Sequence, residues 1–560
     1  MNKVQRRTTS FYAALTLIGL FSLWLRGAFP VVALADAGHD DLLFVRMATY
    51  IGMGNWLGDY GNLTHSKGAA YPIFLLLNHA SGLPVKFTEH VIYLASALFL
   101  SSLIGKVYGR RLAFIVSFVL LAFMPLAWNP ETGGRIVREG FYVGLGVLLF
   151  ALAVQCFVLS KSESVAQEFR QKRVSLLVLG FFAGVYWLTR EEGIWLLPSL
   201  TILVFYWLWT RRAMLRPWRT AALFIGLPLV PALLTAGALN SVNYFKYGVF
   251  RNNDFRAADF QAAYGALSRI KHDEWRRYVV FPKDARSRAY AFSPAATELQ
   301  PFFEGSTGEF WRYAGCTQTT TAQCPEILSG WFMWALRDAV EKAGHYRSAP
   351  AAQSFYLRLA AEINGACDQH PGDCLPQRQS MVPPWRDHYL ADAARASWQV
   401  FTTLSTLGGA PVGIGASRGA PRELALFALM TNSALAPLEP SAGNTAAPDF
   451  GLISPRDTVR IKLAEFLASV TSKVTTFGLP AAVLIWLVWL VMAVLRRRVD
   501  AGLAIASALV AAVGARVLLL GFLEATSIPS NNMLYLLPVV PMALALLPAV
   551  IFGFLAFLKK

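Results

Sequence analysis

The sequence predicts an all-α polytopic membrane protein with about ten transmembrane helices and a mainly α-helical soluble insertion after the seventh. Of the 560 residues, 55% are hydrophobic and only 15% are charged, which is too apolar for one soluble domain. Apolar runs recur at the roughly 20 residues that a helix needs to cross a bilayer core. Ten such runs are present, at residues 11–33, 87–105, 112–128, 140–159, 174–189, 193–210, 219–239, 474–495, 501–522 and 532–557.

The polar stretches between these runs divide the chain into three predicted parts. A transmembrane module at 1–239 contains an acidic first outer loop at 34–68, a soluble domain occupies 240–472, and three more helices follow at 473–560. Lys and Arg cluster in alternate short loops, and cytoplasmic loops carry that excess. We therefore expect an inner-membrane protein with both termini in the cytoplasm, and with the acidic loop and the insertion on the periplasmic face.

The formal net charge of +17 has a membrane explanation. Positive loops on the cytoplasmic side and attraction to anionic membrane lipid account for most of it. No basic patch is interleaved with aromatic residues, as a nucleic-acid surface would be. The sequence therefore predicts membrane lipid as a partner and no nucleic acid.

The N-terminal apolar run has a second interpretation. Basic residues, an apolar stretch and the small residues around Ala35 together resemble a cleaved signal peptide. However, the apolar stretch is longer than the core of a usual signal and is interrupted by Arg26. A retained first helix is the favoured interpretation.

Four of the five cysteines lie in the insertion as two short-spaced pairs, Cys316 with Cys324 and Cys367 with Cys374. Disulfides at these pairs fit an oxidising compartment outside the cytoplasm. A four-thiolate zinc site is the alternative, but more residues separate each pair than the roughly two to four usual between zinc-binding cysteines. Disulfides are the favoured interpretation.

The densest chemical signal is the sequence Asp36-Ala-Gly-His39-Asp40-Asp41 in the first outer loop. Ionised groups at a bilayer boundary are costly unless they bind or react. Adjacent carboxylates raise one another's pKa, so one of them can act as a general base, or both can hold a divalent metal ion. The structural alternative is that Asp40 or Asp41 caps the helix that follows.

Basic candidates lie in the same predicted outer layer. Lys67, shortly before Tyr71, returns from the outer loop to the bilayer at the depth of a lipid phosphate, although snorkelling alone would also explain it. Arg135, Arg138 and Glu139 have a helical spacing that predicts one shared face at the entry of a span. A weak surface ion pair is the alternative role for these three residues.

Two further charged sites interrupt apolar sequence. Arg190-Glu191-Glu192 lies in a tight hairpin between two spans, where its charges need partners from other loops. Arg516 lies inside a predicted span, and an intramembrane arginine is either functional or paired with a neighbouring helix.

The sequence has no Walker loop, dinucleotide fingerprint, zinc-protease motif or serine nucleophile elbow. Any transferred group must therefore arrive already activated from the membrane.

Four short motifs lie in sequence order on the same predicted face. They are Asp40-Asp41-Leu-Leu-Phe44, Lys67-Gly-Ala-Ala-Tyr71, Leu188-Thr-Arg190-Glu191-Glu192-Gly193 and Leu534-Tyr535-Leu-Leu-Pro538-Val-Val-Pro541. Together they resemble the motifs of GT-C glycosyltransferases, which use polyprenyl-phosphate sugars and include protein O-mannosyltransferases, lipid A aminoarabinose transferases and arabinosyltransferases. The motifs cover the transmembrane parts of the chain, and the second lacks the Pro-Pro pair usual in aminoarabinose transferases.

The resemblance implies transfer of a sugar from a polyprenyl-phosphate donor to a hydroxyl of a cell-envelope glycan, lipid or protein, with inversion at the sugar carbon. It implies that Asp40 is the general base and that Asp41 orients it, binds the acceptor or contributes to a metal site. The insertion would recognise the acceptor. It names no definite cofactor, and a divalent metal ion at Asp40 and Asp41 is left open. The expected phosphate ligands are Lys67, Arg190, Arg138 and Arg135, and the other site candidates are Asp36, His39, Glu139, Glu191, Tyr71 and Arg516.

Two other functions fit the layout less well. An O-antigen-ligase or polymerase-type polysaccharide enzyme shares the large outer loop, but such enzymes lack an acidic pair after the first span. A secondary transporter usually has internal repeats and polar groups near the bilayer midplane. Here no repeat is evident, and the charges cluster in outer loops.

Overall fold

The chain folds almost entirely into helices. The computed structural model describes residues 3–159, 162, 164–214, 218–273, 275–319, 325–439 and 455–559. Its first ten α-helices are α1 (Lys3–Arg26), α2 (Asp41–Gly52), α3 (Ala70–Ser81), α4 (Val85–Tyr108), α5 (Arg111–Ala122), α6 (Glu139–Phe157), α7 (Val165–Thr189), α8 (Leu197–Arg211), α9 (Trp218–Gly226) and α10 (Leu229–Tyr247). The others are α11 (Ala258–Ser268), α12 (Lys283–Phe292), α13 (Pro294–Phe303), α14 (Ser306–Thr319), α15 (Ser329–Lys342), α16 (Ala349–Gln369), α17 (Tyr389–Ser405), α18 (Pro421–Thr431), α19 (Pro455–Leu495), α20 (Ala501–Thr526), α21 (Met533–Leu536) and α22 (Val540–Leu558).

Ten helical segments within these residues are long and apolar enough to cross a membrane. This confirms the predicted all-α polytopic architecture, with a mainly helical insertion between the seventh and eighth segments. Because their number is even, the two ends of the chain emerge on the same side if every segment crosses. The segments are Thr9–Arg26, Val85–Tyr108, Arg111–Trp128, Glu139–Phe157, Val165–Thr189, Glu192–Arg211, Trp218–Tyr247, Arg456–Leu495, Ala501–Thr526 and Met533–Leu558.

Two of these segments end elsewhere than predicted. The first helix stops at Arg26 rather than near residue 33, because residues 31–35 leave the helix to form β-bridges with distant loops. Helix α19 begins at Pro455, well before the predicted 474. Its first turns are too polar to resemble a span, but they bury Ala464 and Ala468 against the rest of the protein.

The helices pack around two large hydrophobic cores. One joins the membrane-type helices, where α4 packs against α5 and α6, and α20 packs against α8 and α22. The other belongs to the insertion and is built from residues between 260 and 374, chiefly on α11, α15 and α16. Helices α17 and α18 instead pack against α20 and against α2 and α3, respectively. The boundaries 1–239, 240–472 and 473–560 therefore stay predictions, since the insertion's own core covers only part of 240–472.

A small third core carries the region of interest. Helices α2, α3 and α18 meet there with the loops at 31–35 and 136, around Phe44, Tyr71 and Phe427. Because all three side chains are almost completely buried, this core fixes the start of α2 relative to the membrane-type helices.

The cysteine predictions have different outcomes. Cys367 and Cys374 form a disulfide at the end of α16, with their Cα atoms 5.6 Å apart. The Cys316–Cys324 pairing stays a prediction, because Cys324 lies outside the described residues. The disulfide removes Cys367 and Cys374 from the alternative zinc site, which needed all four thiolates.

Candidate active site

The acidic loop is held in place from both sides by backbone hydrogen bonds. The amide of Val32 donates to the carbonyl of Gly134 at 3.0 Å, and the amide of Ala35 donates to the carbonyl of Arg418 at 2.8 Å. The Arg418 amide returns a bond to the carbonyl of Ala33 at 2.9 Å. A short turn then leads into α2, so the carboxylates at 40 and 41 begin a helix whose entry is braced by two distant segments.

Asp40 precedes α2, but its carboxylate does not cap the helix. No side-chain capping hydrogen bond forms at this position. Instead, Nζ of Lys67 donates to Oδ1 of Asp40 at 2.6 Å, while 48% of the Asp40 side chain stays exposed. The structural alternative for Asp40 therefore fails, and its carboxylate is an accessible anion with one cationic partner.

Asp41 has the opposite environment. Its side chain has no exposed surface, and both of its oxygens accept hydrogen bonds from the guanidinium of Arg135, at 2.6 and 3.3 Å. Arg135 also contacts the exposed Glu131 at 3.3 Å. Such two-point binding of a carboxylate by arginine fixes orientation as well as charge. Asp41 is thus a buried anchor beside the accessible Asp40.

The two carboxyl groups have different pKa values for physical reasons. Partial burial would raise the pKa of Asp40, but the charges of Lys67, Arg135 and Arg138 outweigh it and hold that pKa below the ordinary 3.8. Complete burial raises the pKa of Asp41 to about 6, even though Arg135 favours the ionised form. Both groups are therefore ionised at neutral pH, and Asp41 is the first to take a proton when the pH falls.

Lys67 reaches Asp40 because its loop approaches the start of the Arg190 hairpin. The carbonyl oxygen of Leu188 lies only 2.2 Å from the position that a Cβ atom on Gly68 would occupy. No other residue fits at this crossing. On its other side, the loop is bound by the amide of Asp254, which donates to the carbonyl of His65 at 2.8 Å, and by Asn253, which donates to the carbonyl of Ser66 at 3.2 Å.

The insertion contributes aromatic side chains to the surroundings of Lys67 and His39. The Lys67 ammonium lies 5.4 Å from the ring centre of Trp334 and 5.8 Å from that of Phe44. His39, next to Asp40, packs edge-on against Trp311 and Trp334. Helices α14 and α15 therefore cover one side of the acidic loop.

A second charged cluster lies at the membrane-type helix ends. Arg190 pairs with Glu139 and, at 3.0 Å, with Glu192. Arg516 contacts the same Glu192 at 3.4 Å and donates to the carbonyl of Tyr535 at 2.6 Å. Arg190 and Arg516 are almost completely buried. The prediction that the charges of the hairpin find partners in other segments is confirmed, because Arg190 pairs with Glu139 and Glu192 pairs with Arg516. Arg516 is therefore paired across helices, which was the structural alternative to a functional role.

The other predicted residues lie around these two clusters. Arg138 donates to the carbonyl of Thr189 at 3.4 Å, which places it between the clusters. The hydroxyl of buried Tyr71 donates to Glu89 at 3.0 Å. Asp36 pairs with Arg418 at 2.8 Å on the surface. The side chain of Glu191 lies outside the described residues.

The predicted common helical face of Arg135, Arg138 and Glu139 is wrong. Helix α6 begins only at Glu139, and Arg135 has an extended backbone, with φ −66° and ψ 152°. Residues 130–134 form a short π-helical turn, and Arg135 follows it in an extended conformation that forms the β-bridge with Val32. The three side chains therefore point to three different partners. Neither does Glu139 form a weak surface pair, because it is buried with Arg190.

Sequence reasoning missed several residues near the site. Trp311, Trp334 and Asp338 come from the insertion, where nothing in the local pattern distinguished them. Glu192 was visible as a neighbour of Arg190, and its role in joining Arg190 to Arg516 is a long-range contact. Glu89, which binds Tyr71 and Lys86, lies at the start of a span and carried a detectable signal as a charge in apolar sequence.

The acidic pair does not fit a divalent metal ion. Among the described residues, no group of three or more His, Cys, Asp or Glu side chains is arranged to hold one. Lys67 and Arg135 already neutralise Asp40 and Asp41, and a divalent cation would have to displace both.

His65 makes the stability of this region dependent on pH. Its buried ring faces Tyr60, Tyr247 and Asp254, and burial lowers its pKa from 6.5 to about 4. Between pH 4 and 6.5 the unfolded chain therefore binds a proton at His65 that the folded chain does not, so the contribution of His65 to stability rises with pH, whereas Asp41, with its raised pKa, contributes in the opposite direction. We expect the free energy of unfolding to increase by about 2 kcal/mol from pH 5 to pH 7 through His65.

Thermal unfolding in detergent at the two pH values measures this effect. His65→Phe should remove that part of the pH dependence, and the exposed His370 provides a matched His→Phe control that should keep it. An unchanged pH dependence in His65→Phe would mean that other groups cause it.

Comparisons with known proteins identify no family. No known protein family matches the chain, and no curated protein sequence matches it. Among solved structures, the chain is similar to ArnT from Cupriavidus metallidurans in the apo state, with 14% identity and a TM-score of 0.33 over 99% of this chain and 78% of that chain. The same protein bound to undecaprenyl phosphate gives 14% identity and a TM-score of 0.31 over 98% of this chain and 78% of that chain. A likeness this distant does not assign a function to the chain.

Proposed function

We propose that this protein is an integral-membrane glycosyltransferase that moves a sugar from a polyprenyl-phosphate donor to an acceptor hydroxyl outside the cytoplasm. The observation that carries the proposal is the pair formed by the accessible carboxylate of Asp40 and Nζ of Lys67, 2.6 Å apart, beside the ends of membrane-type helices. A base and a phosphate-binding cation are what such a transfer requires.

Both groups of this pair have a task in the reaction. The acceptor oxygen attacks the anomeric carbon, the bond from that carbon to the phosphate oxygen breaks, and Asp40 takes the acceptor proton. Lys67 neutralises the charge that develops on the departing lipid phosphate. When the donor phosphate engages Lys67, Asp40 loses part of its cationic partner, its pKa rises, and it becomes a stronger base.

The neighbouring ion pairs hold this geometry. Asp41 fixes Arg135 next to Asp40, and we assign a positioning role to Asp41 and Arg135. Arg135 is also close enough to add positive charge beside Asp40. Arg138, partly exposed and acting electrostatically on Asp40, is the second candidate for the donor phosphate. Arg190 is buried between two carboxylates, so its role is to position the hairpin that Gly68, next to Lys67, and Arg138 contact.

The acceptor side is assigned to the insertion, because α14 and α15 cover the acidic loop. The proposed acceptor is a hydroxyl of a cell-envelope glycan, lipid or protein on the periplasmic face of the inner membrane. Mass spectrometry of cell-envelope fractions with and without this protein tests the function. One sugar should be missing from one envelope component, and wild-type protein should restore it.

Lys67→Gln should weaken the binding of a polyprenyl phosphate much more than that of the matching polyprenol. A hydrogen bond to a charged group contributes roughly 1.5–3 kcal/mol, so the loss is expected to be about 10-fold or more. Native mass spectrometry or intrinsic tryptophan fluorescence of the purified protein measures both affinities.

Lys246→Gln is the matched control, since Lys246 is exposed and donates a hydrogen bond to the side chain of Asn55 at 2.9 Å. This variant should bind the phosphate normally. Equal affinity of wild type and Lys67→Gln for the polyprenyl phosphate would remove Lys67 from the donor site.

A further inference from the structure

A large apolar groove lies away from the candidate active site. It is bounded by α1, α4 and α5, and its volume of about 910 Å³ is within the ~300–1,000 Å³ range of ligand-binding pockets. Leu15, Leu94 and Phe118 form its buried floor. The groove is open beside Gly19, because a Cβ atom there would meet nothing closer than a ring carbon of Phe118 at 4.0 Å.

The groove is long enough for an acyl chain. Along α1 its lining extends from Phe11 to Leu23, which at 1.5 Å per residue is about 18 Å, and along α4 it extends from Val91 to Lys106, which is about 23 Å. Half of a hydrocarbon core is about 15 Å thick. An acyl chain from one leaflet therefore fits along the groove over its whole depth in the bilayer.

One end of the groove is basic. Lys106, Arg110 and Arg111 all line it where α4 turns into α5 at Gly109. Acidic residues on the same side have other partners: Glu168 binds Arg211 at 2.9 Å, and Asp500 caps α20. Within the described residues, no carboxylate forms an ion pair with Lys106 or Arg110. The groove therefore combines an apolar body with a cationic end at headgroup depth.

We propose that this groove binds an anionic phospholipid from the leaflet on the side of the chain termini, with its acyl chain against α1 and its phosphate at Lys106 and Arg110. The site is separate from Asp40 and does not depend on the proposed transfer reaction. Charge complementarity selects an anionic headgroup, and the length of the groove accommodates its acyl chain. The bound lipid holds α1, which has little buried surface of its own, against α4 and α5.

Native mass spectrometry of the purified full-length protein tests this site. The probes are phosphatidylglycerol and phosphatidylcholine with identical acyl chains, added together in equal amounts. We expect phosphatidylglycerol to be retained in preference to phosphatidylcholine. Each basic residue near a membrane surface favours an anionic lipid by about 5-fold, so the double variant K106Q/R110Q should retain about 25-fold less phosphatidylglycerol.

Two further variants make the result specific. R170Q/R173Q removes the same charge from exposed positions of α7 on the same side and should not change retention. Gly19→Leu fills the groove and should exclude both lipids, while leucine favours the helix more than glycine does. Equal retention of the two lipids, or an equal loss in R170Q/R173Q, would overturn the proposal. The proposal would also be overturned if the protein had the mass of a dimer without bound lipid and Gly19→Leu converted it to a monomer, because a second copy would then occupy the groove.

Discussion

Asp40→Asn is expected to abolish sugar transfer while leaving the protein folded. The amide cannot take the acceptor proton, and loss of a general base costs roughly 10²- to 10⁴-fold in rate. The fold should survive because the Asp40 side chain makes no helix-capping bond and is half-exposed. Asparagine is also as good a residue as aspartate at the position before a helix. Transfer by purified protein, with thermal unfolding in parallel, measures both effects.

Asp36→Asn is the matched control for this variant. Asp36 lies in the same loop and has a comparable exposure, but it pairs with Arg418 at the surface. It should retain near-normal transfer, with a stability change within about 1 kcal/mol. Near-normal turnover by Asp40→Asn would remove Asp40 from the mechanism, and a loss shared by both variants would indicate a general effect of loop charge.

The membrane architecture was predictable because it depends on local composition. A helix that crosses a bilayer must be apolar for about 20 residues, and this signal survives in one sequence without knowledge of any contact. The ends of α1 and α19 were not predictable, since tertiary contacts fix them. Residues 31–35 pair with segments 100 to 400 positions away, and the first turns of α19 are amphipathic rather than apolar.

The candidate site was predictable only in part. Charges at a membrane boundary marked Asp40, Asp41 and Lys67, because such charges are costly without a purpose. Which cation meets which carboxylate is a long-range property: Arg135 binds Asp41 across 94 positions of sequence. The contact between Trp334 and Lys67 is also long-range, so the local sequence did not predict it. A tryptophan in a helix of a soluble domain is usually part of the core.

The insertion and the Lys67 loop are joined by one buried ionic network. Arg337 on α15 has no exposed side-chain surface; it donates to the carbonyl of Asn62 at 2.6 Å and pairs with Asp254 at 2.8 Å. Burial would raise the pKa of Asp254, but Arg337 and Arg251 hold it below 3.8, so this buried carboxylate stays charged. The network therefore couples the position of Lys67 to the fold of the insertion.

Arg337→Met should be among the most destabilising single substitutions in this region. It removes the buried donor of the Asn62 carbonyl and one of the two arginines that neutralise Asp254, leaving Arg251 at 2.9 Å as the other. Breaking a buried ion pair costs about 3–5 kcal/mol. The apparent melting temperature in detergent should fall by about 10 °C, at the ~2–4 °C per kcal/mol typical of domains of this size. The affinity for a polyprenyl phosphate should fall too, since the Lys67 loop loses its anchor.

Arg358→Met is the control because it makes the same exchange in the same domain at an exposed pair. Arg358 and Glu298 are 44% and 37% exposed, and such a pair contributes about 0–1 kcal/mol. The double variant Arg337→Met/Asp254→Asn should regain part of the stability, because it removes the buried carboxylate that has lost one of its two arginine partners. If the double variant were no more stable than Arg337→Met, lost packing rather than unpaired charge would explain the effect, and the ionic network would not be what holds the Lys67 loop.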